Sequence, residues 1–124
     1  PAPLEDLLQL SPFVVQAFIH GFNKPHNVAL IVPDQDALLK WARDVGLKGS
    51  VEELIENPRV KKLMTDELEQ YSKGFKGYER VRNFKMLTEE FSVENSMLTP
   101  KLSIKRKVVM DRYNDDLEAL YDDE

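Results

Sequence analysis

Apolar residues recur along the chain with two different periods, and the switches between them outline a fold. Leu4, Leu7 and Leu8 carry the spacing of one helical face, and Pro12 ends that short helix. Phe13 to His20 is β-branched and aromatic and reads as a strand. Gly21 to His26 is a turn. Asn27 to Val32 is nearly all apolar, which suits a central strand covered on both sides. The two strands predict an antiparallel hairpin.

The period then changes to that of helices. Asp34 is placed to cap a helix in which Leu38, Trp41, Ala42 and Val45 fall at i, i+3, i+4 and i+7, with Gly46 as the stop. Trp41 at that spacing belongs to a core stripe rather than a stacking platform. Ser50-Val-Glu-Glu53 has the form of a capping box. Asn57-Pro58 opens a longer helix with proline at its first position. Val60, Leu63, Met64, Leu68 and Tyr71 form its buried stripe, and Gly74 and Gly77 end it. Val81 to Leu87 is a third strand. After a loop, Lys105 to Tyr121 reads as one helix, with Val109, Tyr113, Leu117, Leu120 and Tyr121 on one side. The order α-β-β-α-α-α-β-loop-α predicts an α+β fold, a small sheet of about three strands packed by helices.

Composition narrows the function. The 124 residues make one domain by size, and 42% hydrophobic with 31% charged residues suits a globular fold. A net charge of −5 argues against a dedicated nucleic-acid binder, which needs a basic face. Without cysteine there is no disulfide, thiolate metal site or thiol nucleophile. No apolar run approaches the roughly 20 residues that span a bilayer, and no signal peptide opens the chain. A cytoplasmic, reducing compartment fits. The chain begins at Pro1 rather than Met, so it is expected to be a processed or excised piece.

Few residues suggest chemistry. His20 and His26 flank the hairpin turn with Asp34 nearby, but no HExxH-type spacing or third clear ligand accompanies them, and ordinary turn histidines are the simpler reading. Asp111, Asp115, Asp116 and Glu118 alternate with basic residues as a solvated helix surface does. No P-loop, GxGxxG or GxSxG occurs. The exception is Phe91 to Arg106, where a Thr-Pro break and four basic residues, Lys101, Lys105, Arg106 and Lys107, precede or open the last helix. Composition alone makes them solubility charge. However, the helix macrodipole disfavours cations at an N-terminus, and lysines placed against local preference suit an anion such as phosphate or carboxylate. Phe91 has no second aromatic interleaved with the basic run, as a nucleic-acid site would require.

Phe91-Ser-Val-Glu-Asn-Ser-Met-Leu-Thr-Pro-Lys101 resembles the signature Phe, Ser/Thr, any, Glu, Asn, Gly, Leu/Met, Leu, Thr, Pro, Thr/Lys of long-chain acyl-CoA synthetases, AMP-forming ligases of the adenylate-forming superfamily. Ser11 to Gly21, Asn27 to Asp34 and Arg112-Tyr113 to Leu120-Tyr121 support it, and Pro1 to Glu5 is similar to the tail of the family's post-hinge motif. The resemblance covers the whole chain but only the small C-terminal lid domain of such an enzyme. It implies that residues 1–124 are that single domain, and that a large N-terminal domain binding ATP, Mg2+ and the fatty acid is absent. The fatty acid carboxylate would attack the α-phosphate of ATP, and coenzyme A would then displace AMP. The lid's partners would be its own N-terminal domain and a long-chain fatty acid, with no nucleic acid. The full-length enzyme would be cytoplasmic or peripherally membrane-bound, any membrane contact lying in the missing region. The isolated piece is expected to be inactive.

The superfamily delivers a catalytic lysine through Pro, Lys/Arg, Thr, any, Ser, Gly, Lys. Ser103-Ile104-Lys105 falls on its last three positions, one residue short after Pro100, which implies Lys105 and leaves Lys101 as a rival. Ile104 stands for the glycine of that motif, and Ser96 for the glycine of the signature; if the backbone at 96 needs a positive φ, serine costs something there.

Overall fold

The apolar run Asn27–Pro33 (β2) has no polar face to give to water, and it lies in the middle of a three-stranded sheet. The computed structural model describes residues 2–21, 27–73, 81–101 and 103–122. Val14–His20 (β1) flanks β2 antiparallel, as the hairpin pattern predicts, and Val81–Met86 (β3) flanks it parallel, so the sheet is mixed. A parallel neighbour requires a long crossover. Gln35–Asp44 (α2), Val51–Leu54 (α3) and Pro58–Tyr71 (α4) supply it. Before β1 comes Ala2–Leu8 (α1); after β3 come Arg106–Arg112 (α5) and Asn114–Asp122 (α6).

The local signals act as their chemistry dictates. The Asp34 side chain accepts from the backbone N–H of Ala37 at the start of α2. Gly46 takes φ +80 just after that helix, and Leu47 N–H returns to the Ala42 carbonyl at 2.7 Å. Ser50 and Glu53 form the reciprocal capping box; the hydrogen bonds from Ser50 hold the Glu53 carboxyl below its ordinary pKa. Asn57 caps α4 with Pro58 behind it. That helix closes at Ser72, whose hydroxyl donates to the Leu68 carbonyl at 2.6 Å. Gly74, Gly77 and His26 lie outside the described residues.

Alternation along β2 splits the core in two. Ala29 and Ile31 face one side, with Leu38 and Ala42 of α2, Leu54 of α3 and Val60, Met64 and Leu68 of α4. Trp41 packs partly buried against this cluster. Val28, Leu30 and Val32 face the other side, with Leu87, Phe91, Met97, Leu98, Val109, Tyr113, Leu117 and Leu120. A bulge in β1 between Val14 and Gln16 turns Val14 to the same side as Ala17 and Ile19, while Phe18 faces the second cluster.

One expectation is corrected. The apolar stripe from Val109 to Tyr121 predicts a single closing helix, but the chain breaks at Tyr113, where φ is −109 and ψ is 20. Tyr113 still donates to Val109 and accepts from Leu117, so the hydrogen-bond ladder survives across the turn. On both sides of the break Val109, Tyr113, Leu117 and Leu120 pack into the same buried cluster. Periodicity is the same on both sides of the break, so the sequence carries no sign of it.

Edge strand β1 is blunted from one side by α1. Glu5 and Gln9, one helical turn apart, reach its N–H groups: Glu5 Oε2 accepts from Ile19 at 2.6 Å and Gln9 Oε1 from Ala17 at 3.1 Å. Ser11, buried after α1, donates to Glu67 of α4 at 2.7 Å and fixes where the strand begins.

Candidate functional site

Residues 88–101 and 103–105 have little regular structure, yet they are held at every few positions. The Gln16 side-chain amide pairs with the backbone of Phe91 in both directions, accepting at 2.7 Å and donating at 2.9 Å. That anchors Phe91, whose ring is buried against the sheet and is unavailable for stacking on a ligand. Asn95 is the hub of the turn that follows. Its Oδ1 accepts from the N–H groups of Ser92 at 3.0 Å and Met97 at 3.1 Å, and its Nδ2 donates to Glu89 at 3.1 Å and to the Glu90 carbonyl at 2.8 Å. Glu89 also pairs with Arg112 of α5. Ser96 sits at φ 67, the left-handed region that glycine tolerates and serine resists. The sequence raised that question at this position, and the backbone does need it.

The chain then folds back on itself. Leu98 and Ile104 form an antiparallel bridge, Thr99 N–H donates to the Ser103 carbonyl at 2.8 Å, and Ser103 N–H to the Thr99 hydroxyl at 3.2 Å. Lys101 lies in the turn at the tip of this small hairpin; Lys105 lies at its base. Lys105 N–H donates to the Met97 carbonyl at 2.8 Å, and its own carbonyl accepts from Val109 in the first turn of α5. So the backbone of Lys105 is fixed on both sides, while its side chain is exposed. Among the described residues neither Lys105 nor Lys101 pairs with a carboxylate, which leaves both charges available to an anion.

The four basic residues are thus not equivalent. Arg106 folds back along the domain surface, its side chain still 43% exposed. Its guanidinium grips Glu5 bidentately, at 3.1 and 3.0 Å, donates to the Ile19 carbonyl at 2.6 Å and stands 4.6 Å over the Phe18 ring. Only Lys105 and Lys107 crowd the start of α5 with uncompensated charge, and Lys101 precedes it by several residues. Nothing in the sequence links Glu5 to Arg106, which lies 101 residues away in the chain.

Other candidates resolve into structure. His20 ends β1 and Asp34 follows β2, so they lie at opposite ends of the same strand pair, where Asp34 serves as a helix cap. His20 stacks edge-on with Tyr121, whose hydroxyl donates to the His20 carbonyl at 3.1 Å. Asp116 pairs with Lys85 at 3.0 Å on a half-exposed surface, while Asp111, Asp115 and Glu118 are exposed. Burial raises the Tyr113 hydroxyl above its ordinary pKa, the neighbouring Arg112 opposing the shift. Among the described residues no three His, Asp or Glu side chains converge as a metal would require, and no helix is long and apolar enough to cross a membrane.

Known proteins resemble this chain in sequence and in fold. The family model for the AMP-binding enzyme C-terminal domain matches residues 1–124. Long-chain-fatty-acid–CoA ligase 1 of Cavia porcellus is 36% identical over 124 residues, which is 98% of this chain and 18% of that protein. Long-chain-fatty-acid–CoA ligase FadD15 of Mycobacterium tuberculosis is 34% identical over 126 residues, 100% of this chain and 21% of the relative. The chain therefore spans only about a fifth of the curated relatives it matches. In three dimensions it is similar to the adenylation domain of a carboxylate reductase from Mycobacterium chelonae, with a TM-score of 0.79 and 31% identity over 97% of this chain and 17% of that one. The corresponding domain from Segniliparus rugosus, solved with AMP and a co-purified carboxylic acid, gives 0.78 and 29% over 98% of this chain and 18% of that one.

Proposed function

Because this chain belongs to the AMP-binding enzyme C-terminal domain family, we propose that it is the lid of an AMP-forming long-chain acyl-CoA synthetase, and that Lys105 is the residue it carries to the reaction. The observation behind the lysine is the contrast just described: a backbone held on both sides under an exposed, unpaired ammonium. A point charge delivered by a closing lid acts only if it arrives in one place, and the two backbone hydrogen bonds of Lys105 hold it in place. The relatives named as long-chain-fatty-acid–CoA ligases support the substrate class.

In the first step a carboxylate oxygen of the fatty acid attacks the α-phosphorus of ATP. The bond to the bridging oxygen breaks and pyrophosphate leaves with its electron pair. Negative charge gathers between carboxylate, α-phosphate and leaving group, and the Lys105 ammonium lowers its energy in a closed, water-poor site. In the second step the sulfur of coenzyme A attacks the acyl carbonyl carbon and AMP departs; the lid turns away so that a different surface faces the adenylate. The residues of this chain do not fit a Mg2+ site, since no set of acidic or histidine side chains converges among those described. No step is assigned through a metal held here. ATP, fatty acid and any metal belong with the large N-terminal domain that this reading requires.

The test is made in the full-length protein. Lys105→Ala is expected to slow adenylation, read as fatty-acid-dependent ATP–pyrophosphate exchange, by about 100-fold or more. The same variant should convert preformed acyl-adenylate to acyl-CoA within about threefold of the wild-type rate. Equal loss in both half-reactions removes the assigned role, and a larger effect from Lys101→Ala transfers it. The 124-residue chain alone should activate no fatty acid; turnover by it would refute the lid reading.

A further inference from the structure

We propose that Glu5 and Arg106 are positioning residues for Lys105, acting as a strut that makes the lysine follow the N-terminal helix of the domain. The inference rests on the reading above and deepens it. Arg106 is the residue next to Lys105 and the first of α5. Its fork closes on both oxygens of Glu5, whose side chain is 7% exposed. The pair does more than meet itself. Glu5 Oε2 takes the N–H of Ile19 and Arg106 takes the carbonyl of the same residue, so together they complete the free edge of β1 as a neighbouring strand would. Phe18 closes the back of the guanidinium. Residues 105 and 106 are consequently pinned from two directions, by Met97 from the loop and by Glu5 from α1.

A buried carboxylate is an expensive way to gain stability, because an apolar pair of the same volume often does as well or better. What an ion pair held in four directed hydrogen bonds adds is register. Here the register joins two segments that are 101 residues apart in sequence. One is the lysine. The other is α1, the element through which a preceding large domain would reach this one. A rotation applied to α1 then moves Lys105 as part of one rigid unit. The carboxylate also offsets the cation-rich start of α5, which the helix dipole disfavours.

The experiment uses the full-length protein and three variants, Glu5→Gln, Arg106→Lys and Glu5→Gln with Lys105→Ala. Glu5→Gln keeps volume and one acceptor but loses the charge. Arg106→Lys keeps the charge but loses the fork. Each single change should lower kcat of fatty-acid-dependent ATP–pyrophosphate exchange by about tenfold, with KM for ATP and fatty acid within about threefold. Conversion of preformed acyl-adenylate to acyl-CoA should stay within about threefold. In the Lys105→Ala background, Glu5→Gln should add no further loss, because both act through the same ammonium. Multiplicative loss in that background, or parallel loss in both half-reactions, would show a structural role only and overturn the proposal. If Glu5→Gln does not fold, Arg106→Lys decides by the same criteria; if neither folds, the pair is structural and the proposal falls. Wild-type protein that supports no fatty-acid-dependent exchange overturns the underlying reading and the inference with it. Active wild type with unaffected variants overturns the inference alone.

Discussion

One face of the sheet is closed by helices alone and the other by a loop together with α5 and α6, and the loop is held by different chemistry from the helices. Under α2, α3 and α4, apolar side chains do the work: Leu38, Leu54, Val60 and Met64 are all essentially inaccessible to water. On the second face Phe91, Met97 and Leu98 are just as buried, but the chain that carries them has no helix to satisfy its backbone. Side chains take over that task, chiefly Gln16 and Asn95. The candidate lysines sit only on the second kind of structure. A helix offers its residues at a fixed pitch, whereas a braced loop can hold one ammonium out at a point that no helix face would reach.

The largest expected effect tests the first face. Met64→Ala removes a fully buried side chain from beneath the sheet and should destabilise the 124-residue chain by about 2–5 kcal/mol, read from denaturant unfolding. In the full-length protein, at a temperature where the variant remains folded, adenylation should stay within about twofold of wild type, because the loop is braced from elsewhere. A selective loss of adenylation would mean that the two faces are not independent.

The first face was the more legible in sequence, although the stripe of Val109, Tyr113, Leu117 and Leu120 on the second shows there too, and the reason is physical. Helix periodicity, the Asp34 and Asn57 caps, the Ser50–Glu53 box and Gly46 are local signals, complete within a few residues of chain. The hairpin of β1 and β2 and the central place of β2 follow from an apolar run and a turn. The second face depends on partners that are distant in sequence. Gln16 meets Phe91 across 75 residues and Glu5 meets Arg106 across 101, and no spacing rule links either pair. The bulge before Gln16 and the break at Tyr113 leave no mark in the pattern either. The family signature drew attention to Asn95 without saying that it braces a turn. The four cations at one helix start look alike in the sequence, yet Arg106 is neutralised by Glu5.

A middle-sized effect tests the second face. Asn95→Ala deletes four hydrogen bonds that close the turn, two to backbone N–H groups, one to a carboxylate and one to a carbonyl. Several are partly exposed, so the cost to stability should be about 2 kcal/mol, no more than that of Met64→Ala. Its effect on adenylation in the full-length protein should nevertheless be far greater, about tenfold, because Met97, whose carbonyl holds Lys105, loses one of the two acceptors of its N–H and the turn around it loses its hub. If Asn95→Ala and Met64→Ala rank the same way in stability and in adenylation, the division between a packing face and a positioning face is wrong.

The smallest effect concerns Ser96, and opposing contributions set its sign. At φ 67 a serine bears the clash of its Cβ with the backbone, about 1–2 kcal/mol by comparison with ordinary helical or extended conformations. Ser96→Gly relieves it, and because Ser96 is exposed no buried contact is lost. Glycine also widens the unfolded ensemble, which opposes the gain by about 0.4–1 kcal/mol. The relief is the larger, so the variant should be more stable by about 0.5 kcal/mol in denaturant unfolding. Adenylation in the full-length protein should change little, since the bonds of Asn95 and the Met97 carbonyl to Lys105 do not involve the serine side chain. Destabilisation by Ser96→Gly would show that loop order depends on the stiffness of this residue as well as on its bracing partners, and the account of the second face would have to include backbone entropy beside the side-chain hydrogen bonds.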